Sequence, residues 1–141
     1  MAVRTLDHVN IRTLDVAGTA AFFRDVLGLE ARAAPGAGHI DKGCWIHDPA
    51  GHPIIHIGPV EARYPSDDAA PFLPARGGGA VHHVALLCDD LPDMLARLDR
   101  TGRPVSRVDF EAAGLVQLFV VEENGVLLEL NFRTGGDRMA K

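Results

Sequence analysis

The chain has 141 residues, 47% hydrophobic and 23% charged, enough apolar material for one compact domain or two very small modules sharing a core. A net charge of -5 with no Lys/Arg cluster argues against a nucleic-acid binder, and no apolar run is long enough to cross a bilayer. Residues Met1 to Asp7 lack the hydrophobic stretch of a secretion signal, and Cys44 and Cys88 are too few for a disulfide framework, so a reducing, cytoplasmic setting is expected.

In chain order, Leu6 to Ile11 alternates and is β-branched, which predicts a strand. Asp15 then reads as a helix N-cap; Val16, Ala20, Phe23 and Leu27 fall at helical spacing, and Gly28 supplies the stop. Three short strands are expected near 29–34, 42–47 and 53–58, with turns at Gly36-Ala37-Gly38 and Asp48-Pro49-Ala50-Gly51. From Pro59 through Gly79, four prolines and the run Gly77-Gly78-Gly79 deny regular structure. These glycines lack the strand-to-helix context and the Lys-Ser/Thr of a phosphate loop. The order then recurs. Val81 to Leu86 predicts a strand, and Asp90 caps a helix with Pro92 in its first turn, Met94, Leu95 and Leu98 as its stripe and Gly102 as its end. Strands follow near 104–110, 115–121 and 126–132, with Glu122-Glu123-Asn124-Gly125 as a hairpin turn. The tail from Thr134 to Lys141 is expected to fray.

The two runs align by residue number. Leu6–Ile11 and Asp15 recur 75 residues later as Val81–Leu86 and Asp90, while Gly28 and Gly51 recur 74 later as Gly102 and Gly125. This is a βαβββ unit written twice. The expected organisation is one domain over 1–141, with modules at 4–58 and 80–132 and a linker at 59–79.

Seven histidines stand in a chain with one Trp and one Tyr, and the repeat sorts them. His8 and His83 occupy the third position of matching strands, and His56 matches Glu129 at a distance of 73. Imidazole and carboxylate are ligands for divalent first-row metals. Strand alternation agrees: the face opposite each of the four is apolar, as with Val9 and Ile11 against His8 or Leu128 and Leu130 against Glu129. A Glu among leucines is expensive to bury alone, and a metal is one way to stabilise it. His82 points the other way from His83 and reads as structural. His39, His47 and His52 sit in or beside turns and read as surface residues, any of which can reach a site as an acid/base. Cys44 and Cys88 read as small buried hydrophobes.

These residues resemble the vicinal oxygen chelate superfamily, which includes glyoxalase I, fosfomycin-resistance proteins, methylmalonyl-CoA epimerase, extradiol dioxygenases and bleomycin-resistance proteins. The resemblance spans about residues 4–132. It rests on Leu6-Asp7-His8-Val9-Asn10-Ile11, the run Phe22 to Leu29, Val81-His82-His83-Val84, and Asn124 to Leu130. It implies an α+β fold in which tandem βαβββ modules curl into a mixed-sheet cup. It also implies one divalent metal ion per cup (Fe, Mn, Ni, Co or Zn) held at His8, His56, His83 and Glu129, in a homodimer. The cup is built within one chain or between two. Fosfomycin-resistance and extradiol members do not use the position of His56 as a ligand, whereas glyoxalase I and the epimerase place Glu or Gln there; His56 departs from both.

Two reactions follow from the resemblance. With all four residues bound, a small substrate chelates through adjacent oxygens, and a lyase or isomerase works through a metal-stabilised enolate, with Glu129 and His56 as the catalytic pair. With His56 off the metal, His8, His83 and Glu129 form the two-His, one-carboxylate set of an Fe(II) ring-cleaving dioxygenase, and His56 acts as an acid/base. A third reading, from a different class, is a bleomycin-resistance-like protein that sequesters a ligand without turning it over. Asn10, Trp45, Gln117 and Phe119 are the candidate substrate-binding residues. No nucleic acid or membrane partner is expected.

Overall fold

The computed structural model of the chain describes residues 2–69 and 75–134. It divides into two compact units, Met1–Pro74 and Ala75–Lys141, each built on a four-stranded mixed sheet.

In the first unit, β1 (Val9–Thr13) leads into α1 (Val16–Ala21), followed by β2 (Glu30–Ala33), β3 (Cys44–His47) and β4 (Pro53–Pro59). The sheet order is β1-β4-β3-β2, with β1 parallel to β4 and the other pairs antiparallel. Asp15 caps α1 as its type predicts, accepting the Gly18 N–H at 2.8 Å. The helix then widens into a π-helical turn over Phe22–Val26, which spacing alone does not announce. The wide turn brings two consecutive aromatics into the core: Phe22 and Phe23 are both buried, edge to face at 5.6 Å. Gly28, at φ 75°, ends the segment while Leu29 N–H reaches back to Phe23 C=O at 3.0 Å. Val16, Ala20 and Phe23 share the core with Ile11, Cys44, Ile46, Ile55 and Ile57, all buried. Truncating Phe23 to Ala there should cost about 3–5 kcal/mol.

The second unit repeats this order with β5 (Val84–Cys88), α2 (Leu91–Asp99), β6 (Ser106–Phe110), β7 (Leu115–Val121) and β8 (Leu127–Arg133), arranged β5-β8-β7-β6. Asp90 caps α2 from a left-handed φ of 56°, accepting the Asp93 N–H at 3.1 Å. Met94 and Leu98 are its buried residues, and Leu118, Val120, Leu128, Leu130 and Phe132 are buried on the sheet. Between β7 and β8, Glu122 is fully buried yet satisfied: its carboxylate accepts the backbone N–H of Asn124 and Val126 and the Asn124 side-chain amide, at 2.7 to 2.9 Å.

Two boundaries differ from expectation in the same way. The strands begin at Val9 and Val84, not at Leu6 and Val81, which are exposed. The cause is the parallel ladder. Val9 pairs with Ile55 and Val84 with Leu128, and both partner strands extend only one or two residues further upstream, so Leu6 and Val81 have no strand residue opposite them. His8 and His83 therefore sit one residue before their strands. The expected linker carries a short 3-10 turn, Pro65–Asp68, in which Tyr64 N–H donates to Asp67 Oδ2 at 2.8 Å. Its Pro71 and Pro74, like most of the expected frayed tail, lie outside the described residues.

Candidate functional site

On the first sheet, the face away from the aliphatic core carries one continuous polar and aromatic row. Register places Asn10 beside His56, His56 beside Trp45, and Trp45 beside Arg32. The Trp45 and His56 rings stack at 4.4 Å, and His8 meets Trp45 edge-on at 4.8 Å. This unit thus gathers His8, Asn10, Trp45 and His56.

Hydrogen bonds set the two imidazoles differently. His8 Nδ1 lies 2.5 Å from Asp7 Oδ2; an ionised carboxylate only accepts, so Nδ1 carries a proton, and in the neutral form of the ring the lone pair is on Nε2. For His56, Asn10 Nδ2 lies 3.2 Å from the His56 carbonyl oxygen and 3.1 Å from His56 Nδ1. The carbonyl can only accept, which orients the amide nitrogen toward His56. Nδ1 is then an acceptor, and the proton of the neutral ring sits on Nε2. Partial burial, then the neighbouring charges of His8 and Arg12, push the His56 pKa below the ordinary imidazole value and favour that neutral ring.

Two further residues wall this site. Arg12 lies 3.7 Å over the Tyr64 ring and donates to the Ala62 carbonyl at 2.5 Å, which folds the segment after β4 back onto the strand. Tyr64 then presents its edge to His56 at 6.0 Å. Nothing in the Pro-rich sequence marks Tyr64, because irregular chain has no periodicity from which to read a face. His47 shares the face of Trp45, but its Nδ1 is buried without a partner among the described residues, and it lines a separate cavity of about 310 Å³ with Glu30, Arg32 and Asp48. His39 and His52 pair with Asp41 and Asp48 at exposed turns.

The second sheet brings together His83, Glu129 and Gln117. His83 Nε2 faces Glu129 Oε2 at 3.0 Å. Gln117 Nε2 donates to Glu129 Oε1 at 2.6 Å, and Asn131 Nδ2 donates to the same oxygen at 2.9 Å. Phe119 pairs directly opposite Glu129. His82, expected to be a bystander, lies Nδ1 to Nδ1 with His83 at 2.9 Å and so holds the far side of that ring. Asn131 lies two residues beyond Glu129 on the same strand, so alternation places it on the same face.

The donor chemistry fits a divalent ion. Two donors about 2.1 Å from one ion lie about 3.0 Å apart when they meet it at a right angle and about 3.4 Å apart in a tetrahedron; His83 Nε2 and Glu129 Oε2, in direct contact at 3.0 Å, have the first separation. In the first unit, His8, with Asp7 on its Nδ1, has Nε2 as a donor of the same kind. Within each unit, among the described residues, no three His, Cys, Asp or Glu side chains converge as a metal cluster.

A family model described as Glyoxalase/Bleomycin resistance protein/Dioxygenase superfamily matches residues 5–130. Among solved structures, an integron cassette protein from the V. cholerae mobile metagenome is 17% identical, with 95% of this chain and 98% of that chain covered and a TM-score of 0.68. The lactoylglutathione lyase of Agrobacterium tumefaciens and the fosfomycin resistance protein FosX of Listeria monocytogenes are each 14% identical at a TM-score of 0.63, covering 94% of this chain and 96% of theirs. They share its fold. A search of curated proteins finds no match. No helix among the described residues is long and apolar enough to cross a membrane.

Proposed function

The chain belongs to the glyoxalase, bleomycin resistance protein and dioxygenase superfamily, and from that premise we propose that it is a divalent-metal enzyme acting on a small substrate with two adjacent oxygens. His8, His83 and Glu129 hold the ion, and His56 serves the substrate as a hydrogen-bond donor. The observation that carries this division is the opposed hydrogen bonding of the two imidazoles: a carboxylate acceptor, Asp7, at His8 Nδ1 and an amide donor, Asn10, at His56 Nδ1.

A bound divalent ion supplies Lewis acidity to the paired substrate oxygens. The protein's own groups do the rest. His56 Nε2–H stabilises negative charge developing on a substrate oxygen, a task suited to a neutral imidazole. Trp45, stacked on the ring, keeps it from turning. Glu129, once displaced by the chelating substrate, would use Oε2, the oxygen without an amide donor, to take the proton from the carbon beside the substrate carbonyl and return it. The outcome is a lyase or isomerase reaction on a 2-oxo or 2-hydroxy carbonyl compound, carried out by a homodimer in the cytoplasm.

Metal analysis of protein purified without chelator tests the reading. Stoichiometric metal is expected, lost in His8→Ala and Glu129→Ala but retained in His56→Gln, with turnover of such a compound on Ni, Co or Mn and no oxygen uptake. Absence of metal, with no effect of the two Ala substitutions, overturns it in favour of a ligand-sequestering protein.

One observation favours a second reading. With Asn10 occupying His56 Nδ1, the remaining two His and one carboxylate are the donor set used for Fe(II) by oxygenases. Oxygen uptake with a catechol on anaerobically Fe(II)-loaded protein would select the ring-cleaving dioxygenase.

A further inference from the structure

Glu129 is held by more than its place in β8. Gln117 on β7 and Asn131 on β8 are direct register partners, and Glu129 lies two residues before Asn131 on the same face. Their side chains close a ring. Gln117 Nε2 donates to Glu129 Oε1 at 2.6 Å and to Asn131 Oδ1 at 2.9 Å, and Asn131 Nδ2 donates to Glu129 Oε1 at 2.9 Å. The carboxylate can only accept, so both amide nitrogens must face it, and the Gln117–Asn131 bond fits that orientation. The two donors converge on one oxygen. The other, Oε2, meets only His83 Nε2 among the hydrogen bonds and ion pairs described for this carboxylate.

We propose that Gln117 and Asn131 are positioning residues that occupy Glu129 Oε1 and so make Oε2 the one working oxygen of the carboxylate. This rests on the reading of Glu129 as a metal ligand. Its consequence is monodentate ligation, because turning Oε1 to an ion breaks two charge-assisted hydrogen bonds at a carboxylate only 12% exposed. Gln117 is accordingly no substrate contact through its amide nitrogen, whose donors are spent within the ring. A ligand restricted to one oxygen keeps a coordination position open that a bidentate carboxylate would fill, and that position is what a two-oxygen substrate requires.

The test is a Co(II) titration of the full chain as wild type, Gln117→Met and Asn131→Leu, followed by calorimetry, visible absorption and thermal melting. The wild type is expected to bind Co(II) stoichiometrically. Each variant is expected to bind about 10–100-fold more weakly, with an altered visible spectrum as Oε1 loses one of its two donors and the carboxylate is held less firmly, and with little change in melting temperature. The two substitutions lie on different strands, so one failing to fold leaves the other to decide. Unchanged affinity and spectrum in a folded variant overturns the positioning role while leaving the metal reading intact. A wild type that takes up no Co(II) overturns the metal reading and the positioning role with it.

Discussion

Trp45 and His56 lie opposite each other on β3 and β4, with ring centroids 4.4 Å apart and planes 8° from parallel. Trp45 is the one tryptophan of the chain, so its emission reports on His56 directly. An imidazolium stacked on indole quenches it; a neutral imidazole does so far less. Burial and nearby positive charge lower the His56 pKa from the ordinary 6.5. Emission should therefore hold steady from pH 8 down to about the ordinary imidazole value and fall only below it. The transition should vanish in His56→Gln and persist in His8→Gln, where only an edge contact is lost. A transition at or above the ordinary value contradicts the stacked, partly desolvated ring.

The Asp7–His8 pair makes a separate demand. Outer-sphere carboxylates fix the tautomer of a ligating histidine, and losing one typically weakens metal binding about 10–100-fold. Asp7 is 94% exposed, so water competes for its hydrogen bond. Asp7→Asn should fall at the low end, about 10-fold by calorimetry, with unfolding unaffected.

Glu122 should matter for stability and not for turnover. Its carboxylate satisfies two backbone N–H groups inside the β7–β8 hairpin and is fully buried. Glu122→Ala removes the acceptor of those bonds inside the hairpin and should lower the unfolding free energy by about 1–3 kcal/mol in denaturant melts. Metal content should not change.

The two thiols should be inert in the folded protein. Burial pushes Cys44 and Cys88 up to about 11, so little thiolate exists at neutral pH. An aromatic disulfide reagent at pH 8 should titrate both quickly in denaturant and neither quickly without it. Fast reaction of one thiol in the native state would show that its site opens.

Much of this protein is legible in its residues because local rules operate there. Alternation on β4 and β8 sorts His56 and Glu129 onto the face opposite the aliphatic core, and His8 stands one residue before β1. Asp15 and Asp90 cap their helices because a short carboxylate satisfies an orphan N–H, and Gly28 and Gly102 adopt the positive φ that stops a helix. The duplicated order of elements follows from the same local signals written twice. Where local rules end, so does the reading: the π-helical turn at Phe22–Val26 answers to two phenylalanines competing for one core, and the late starts of β1 and β5 answer to the length of a partner strand.

Sequence by itself determined which residues share a face and that the set is imidazole and carboxylate. Only tertiary structure decided what each of them can do. Proton placement on an imidazole depends on which single atom lies within hydrogen-bond distance, and Asn10 faces His56 only because two parallel strands 46 residues apart in sequence come into register. The same holds for the amides of Gln117 and Asn131 on Glu129, and for Tyr64, brought against His56 by Arg12. Residue type supplies the chemistry that is possible; the neighbour across the sheet selects the one form of it that the site presents.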